Sequence, residues 1–99
     1  MTYPAEWRPV LDQELERWSV LSATELVSQL KEEQTYQVEF RSKMYQVEVT
    51  LLENTNVYVH VGVSVDDGHG WRAMHPASSS FIVKKFAARA NPDKADTPD

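Results

Sequence analysis

The chain contains no cysteine. A disulfide scaffold, thiolate zinc sites, iron–sulfur clusters and cysteine nucleophiles are thereby removed together. It has no apolar run near the roughly 20 residues that span a bilayer. No charged segment followed by an apolar one stands at the N-terminus, so the expectation is a cytoplasmic protein that does not engage a membrane. A basic surplus is also missing: 15 acidic residues face 10 basic ones, for a net charge of −5. That balance argues against a dedicated polyanion binder, and nucleic acid is not the expected partner. Nor is there an internal repeat, or a linker that would divide 99 residues into two cores.

What is present is organised by hydrophobic period. The charge is uneven: residues 1–34 hold seven acids against three bases, 35–90 five against six, and 91–99 three against one. Acidity therefore belongs to the first third and the tail. Pro9 can open a helix that runs to about Val20, burying Val10, Leu11, Leu15 and Trp18 and exposing Asp12, Gln13, Glu16 and Arg17. Ser22-Ala23-Thr24-Glu25 matches a capping box, with Leu21 and Leu26 placed for a hydrophobic staple. A second helix of about ten residues should follow, fraying among Lys31-Glu32-Glu33-Gln34, where two acids oppose the helix dipole.

From Thr35 the period falls to two. Tyr36, Val38 and Phe40 alternate with polar residues, as do Tyr45, Val47, Val49 and Leu51, and pairing Phe40 with Tyr45 sets every apolar residue against another. A turn at Glu53-Asn54-Thr55, with asparagine in the left-handed conformation, then returns the chain as Val57-Tyr58-Val59-His60-Val61-Gly62-Val63-Ser64-Val65. Its five valines share one face. Leu51 is expected opposite Val57 and Val49 opposite Val59. Asp66 to Gly70 is a turn, and residues 71–75 offer a short fourth strand ending at Pro76.

Ser78-Ser79-Ser80 can cap a last helix over residues 79–90, with Ile82, Val83, Phe86, Ala87 and Ala90 on one face; a strand through Phe81 and Val83 is the alternative. The fold expected is α+β and two-layered: an antiparallel meander of three or four strands, with the N-terminal helix pair and the C-terminal helix on one face. A sheet wrapped around a helix, the cystatin-like arrangement, is also compatible. The domain covers 1–90, and 91–99 reads as a disordered acidic tail.

No motif names a reaction, and no cofactor is implied. If Asp67-Gly68 is a two-residue turn, His60 lies opposite His75 and Ser64 opposite Trp71; the two imidazoles could then begin a metal site or, with His69, a small enzyme. No third ligand is spaced to complete a zinc set, and a wider loop would separate the pair. Asp66, Asp67 and His69 read as turn chemistry, and Glu39 and Glu48 as ordinary polar residues of a solvated face. Tyr58, His60 and Trp71 could anchor an interface on the outward face, beside a gap left by Gly62. The leading expectation is a non-enzymatic interaction or ligand-binding module, dimeric with itself or paired with another protein.

A second reading rests on the basic residues. Ser78-Ser79-Ser80 followed by Lys84-Lys85-Phe86-Ala87-Ala88-Arg89-Ala90, after a helix and three antiparallel strands, resembles the double-stranded-RNA-binding domain. In that family lysines near the start of the last helix grip phosphates, which would give Lys84, Lys85 and Arg89 that role. The loop glycines expected before that helix are absent here, and an additional helix precedes the sheet.

Overall fold

The computed structural model describes residues 4–68 and 76–85. Two helices precede a four-stranded antiparallel sheet: α1 (Trp7–Ser19), α2 (Ala23–Gln29), β1 (Gln34–Phe40), β2 (Lys43–Asn54), β3 (Tyr58–Asp66) and β4 (Ala77–Lys84). The strands are ordered β1-β2-β3-β4, a simple meander. The fold is therefore α+β with an antiparallel sheet, as the periodicity implies.

Helix α1 begins two residues before Pro9. Proline tolerates this because the N–H groups of the first turn have no intrahelical acceptor, so the missing donor costs no bond. The earlier start brings Trp7, 1 % exposed, onto the buried stripe with Val10, Leu11 and Trp18. Helix α2 carries the capping box: the Ser22 hydroxyl accepts from the Glu25 N–H at 3.1 Å, and the Ser22 N–H donates to the Glu25 carboxylate at 2.9 Å. It ends at Gln29, so Glu32 and Glu33 lie beyond it and do not act on its last turn. Helix α1 rests on β3 and β4, and α2 on β2 and β3.

The sheet's inward face closes the core. Tyr45, Val47, Val49, Val59, Val61, Val63, Val65 and Ala77 are buried with the helix residues in one cluster. Val57 is the exception among the five valines. It lies in the β2–β3 turn and is 57 % exposed. That turn falls later than expected: the Thr55 N–H donates to the Tyr58 carbonyl at 2.9 Å, and the Thr55 hydroxyl accepts from the N–H groups of Val57 and Tyr58. One threonine thus holds a turn that Asn54 in the left-handed conformation was expected to make.

Each register differs from the one expected. Across β1–β2, Tyr36 faces Val47 and Val38 faces Tyr45, a two-residue offset. Phe40 pairs with Lys43, leaving a two-residue turn in which Arg41 (φ 52°) and Ser42 (φ 68°) both take the left-handed region. This is the type I′ geometry that suits strand twist, built without glycine or asparagine. The Arg41 guanidinium lies 5.0 Å from the centroid of the Phe40 ring. Across β2–β3, Val47 faces Val65, Val49 faces Val63 and Leu51 faces Val61. Both offsets are even, so every inward residue stays inward.

The fourth strand is residues 77–84, paired with β3, so the stretch where the last helix was expected to start takes the alternative, a strand through Phe81 and Val83. The reason is the open edge of β3. Phe81 and Val83 alternate with Ser80 and Ile82, and pairing satisfies the β3 edge while setting Ala77, Phe81 and Val83 against Val65, Val61 and Val59. Residues 86–90 of the expected helix, residues 71–75 and the tail 91–99 lie outside the described residues. Among the described residues no helix is long and apolar enough to cross a membrane.

The left-handed turn generates a test. Ser42→Gly should stabilise the protein by about 0.5–1 kcal/mol, because glycine relieves an αL cost of about 1–2 kcal/mol and returns part of it as unfolded-state entropy. Urea denaturation reads the shift in midpoint.

Candidate functional site

The outward face of the sheet holds the most concentrated chemistry, and a break in the β2 ladder creates it. The pairing shifts between Leu51 and Glu53: Leu51 faces Val61, but Glu53 faces His60 and Asn54 faces Val59. Leu52 is the additional residue of a β-bulge, so two consecutive side chains, Leu52 and Glu53, reach the outer face. Leu52 folds over Gly62, where a Cβ would sit 3.0 Å from its Cδ1. Glu53 reaches the imidazole of the next strand.

Three strands then contribute to one chain of polar contacts. The Glu53 Oε1 atom accepts from the Tyr58 hydroxyl at 2.9 Å and stands 3.7 Å from His60 Nδ1. On its other side, His60 Nε2 lies 2.9 Å from Ser80 Oγ. A carboxylate near Nδ1 favours the tautomer with the proton on that nitrogen, which leaves Nε2 as the acceptor and Ser80 as the donor. The same carboxylate raises the pKa of the exposed Tyr58 hydroxyl by its hydrogen bond. Beside Ser80 a shallow hollow opens over Gly62, walled by Thr50, Leu52, Ser64 and Ser78.

Among the described residues β4 is the edge of the sheet, and its hydrogen-bonding phase can be read. The Lys85 N–H donates to the Val57 carbonyl at 2.9 Å. Hydrogen-bonded and non-hydrogen-bonded pairs alternate along an antiparallel ladder, so Phe81 and Val83 bond to β3 while Ser78, Ser80 and Ile82 direct N–H and C=O to the open edge. From Ala77 to Val83 this edge carries no charge, and Ile82 is 56 % exposed on its outer side.

Of the residues singled out in the sequence, Tyr58 and His60 share the outer face. The partner of His60 is Ile82, so the two-residue-turn register that would have set it opposite His75 is not formed: the β3–β4 connection is far wider, running from Asp67 to Pro76. Its start is turn chemistry, with the Gly68 N–H donating to Asp66 Oδ1 at 2.6 Å and Gly68 at φ 74°. His69, Trp71, His75 and Arg89 lie outside the described residues. Among the described residues no group of three histidine or carboxylate side chains could hold a metal ion. Glu39 faces Met44 and Glu48 faces Ser64, on separate strands as expected. Burial raises the Glu48 pKa, and the neighbouring Glu33 and Asp66 carboxylates add to it.

The two lysines diverge. Lys84 pairs opposite Tyr58, whereas Lys85 lines a separate hollow with Thr24, Ser28, Lys31 and Asn54 against α2. Consecutive residues of an extended chain point to opposite sides, so strand conformation separates charges that a helix would have gathered.

One cluster was missed by reading the sequence. Glu14 is 0 % exposed in the middle of the α1 core stripe. Its Oε1 accepts from the Tyr36 hydroxyl at 2.6 Å and pairs with the Arg17 Nε at 3.2 Å, while Oε2 accepts from Gln13 at 3.1 Å. Trp18 Nε1 donates to the Tyr36 oxygen at 2.8 Å. The signal was available: Trp7, Val10, Leu11, Glu14 and Trp18 are spaced as one helical face, so the acid sits where an apolar residue is due. Each buried polar atom here has a partner, which marks the cluster as a device that fixes α1 against β1.

Burial, reinforced by the bond to Glu14, pushes the Tyr36 hydroxyl from 10.0 up to about 12. The stabilising contribution of this neutral hydroxyl is fully present below pH 10 and is lost as pH rises from 10 to 12.

No family model matches the chain, and no curated protein or solved structure matches it either.

The buried cluster yields a double test. Tyr36→Phe removes a donor to a buried carboxylate and the acceptor for Trp18, and should cost about 1–3 kcal/mol in urea denaturation at neutral pH. The gap between wild type and variant should narrow as pH is raised from 10 to 12.

Proposed function

We propose that the protein is a small interaction module that pairs with a second copy of itself along the β4 edge. The observation that carries this reading is the edge itself: an uncharged strand from Ala77 to Val83 with open N–H and C=O groups at Ser78, Ser80 and Ile82. Long, uncharged edges are templates for further strand addition, and folds that remain single blunt them with lysine, proline or a covering element. Here Pro76 precedes the strand and Lys84 ends it, so the stretch between carries neither lysine nor proline.

A second copy suits this edge better than an unrelated strand. Antiparallel pairing about a two-fold axis is self-complementary, and it sets the Lys84-Lys85 ends of the two strands apart, so their charges do not oppose association. The paired sheets would continue from one copy into the next, with Ile82 and Tyr58 on the outer face near the junction. Among the described residues the helices pack on one face of the sheet, which supports such a continuation.

Sedimentation velocity from low micromolar to several hundred micromolar protein tests the proposal. The expected result is a mass that rises from one chain to two. Ile82→Pro should hold it at one: its N–H faces the open edge, so proline leaves the bonds to β3 intact while removing a donor to the partner. A wild type that stays monomeric throughout, or an Ile82→Pro variant that associates like wild type, overturns it.

A further inference from the structure

We infer that Glu53, His60 and Ser80 form a nucleophile relay, in which His60 activates the Ser80 hydroxyl toward acyl and phosphonyl groups. The reading concerns the unassociated chain, because pairing along β4 would engage the Ser80 N–H that it uses. Three groups of the right kinds are joined in the right order. Ser80 Oγ lies 2.9 Å from His60 Nε2, within reach for proton transfer, and Glu53 Oε1 lies 3.7 Å from His60 Nδ1. They come from β4, β3 and β2, so nothing in their sequence separation brings them together. The sheet register and the bulge do so.

The requirements beyond the relay are a place for the reacting group and a donor for its oxygen. The hollow over Gly62 adjoins Ser80; Leu52 and Val63 line its apolar part, and the Thr50 and Ser64 hydroxyls and the Glu48 carboxylate its polar part. Missing a side chain at Gly62 keeps the floor low. The N–H of Ser80 itself points to the open edge, unpaired within the sheet, and can donate to an oxygen developing negative charge on a group attached to Oγ. The occupants that fit are small esters: the hollow is shallow, and it combines an apolar lining with hydroxyls.

The step balances as follows. Ser80 Oγ attacks the ester carbonyl carbon and the oxygen–carbon bond forms. The hydroxyl proton passes to His60 Nε2, and the imidazolium is stabilised by Glu53. Collapse of the tetrahedral species breaks the ester C–O bond, and His60 returns the proton to the departing alkoxide. Water then releases the acid by the same route, so ester and water become acid and alcohol with no further reagent.

A fluorophosphonate probe reads the first half of this sequence directly. Oγ attacks phosphorus, the P–F bond breaks, fluoride leaves, and His60 takes the proton. The full chain is treated with probe at low micromolar protein, where the edge is unpaired, and adducts are located by peptide mass mapping. A single adduct at Ser80 is expected, absent in Ser80→Ala. In His60→Gln, which circular dichroism should show folded, labelling should slow by at least ~100-fold, the scale of a lost general base. In Glu53→Gln the slowing should be smaller. No adduct on wild type, adducts spread evenly over Ser78, Ser79 and Ser80, or unchanged labelling in His60→Gln each overturns the inference. Should His60→Gln prove unfolded, the pH–rate profile of wild-type labelling decides: a rate independent of pH across the neutral range overturns it as well.

Discussion

Four valines of β3 govern the geometry of the whole sheet. Val59, Val61, Val63 and Val65 are buried between two neighbouring strands and the helices. A one-residue slip of β3 would exchange them for Tyr58, His60, Gly62 and Ser64, placing an imidazole and hydroxyls in the core and four valines in water. Each buried valine contributes roughly 1.5–3 kcal/mol, so the penalty for that slip is of the order of the stability of a small domain. The inner face is therefore rigidly specified. Every polar arrangement outside, including the approach of His60 to Ser80, is a by-product of how the inner face is held.

The polar intrusion of Glu14 into that core is organised differently. Glu14 enters the apolar stripe of α1 with its hydrogen-bond capacity met by Tyr36, Gln13 and Arg17. Arg17 is mostly exposed, so the carboxylate is compensated from the solvent side as well as from within. Apolar packing alone would let α1 slide along the valines, whose surface is nearly uniform. A fixed acceptor over Tyr36 gives the helix a preferred position along β1, the use for which buried polar groups are best suited.

The period-two pattern made the inner face legible: Tyr45, Val47, Val49 and four of the five valines are buried where alternation puts them. The registers were not legible, because an offset of two or four residues keeps inward residues opposite inward residues and changes the match only near the strand ends, where Phe40 meets Lys43. Turn chemistry would have resolved them, but Arg41-Ser42 carries no glycine or asparagine to announce a type I′ turn, and Thr55 holds its turn through a side chain rather than a left-handed backbone. Residues 77–84 satisfy both helical and strand periods over so short a span, and the decision came from the unpaired edge of β3, a tertiary demand. Of the outer-face site, Tyr58 and His60 were readable from parity. Glu53 and Ser80 were not, since their meeting depends on a bulge. Its trace in the sequence is Leu51-Leu52, two successive apolar residues in a strand that otherwise alternates.

Leu52 occupies the sheet without being a rung of its ladder. The residues on either side of it pair with β3 in registers that differ by one, so a chain lacking Leu52 could form the same rungs in an unbroken sequence. What would vanish is the side chain lying across Gly62, and with it an apolar wall of the hollow. Shape at this spot is thus set by chain length rather than by which residue is chosen. The fold and the contour of its outer surface can accordingly change independently, because the residue that shapes the one is dispensable to the other.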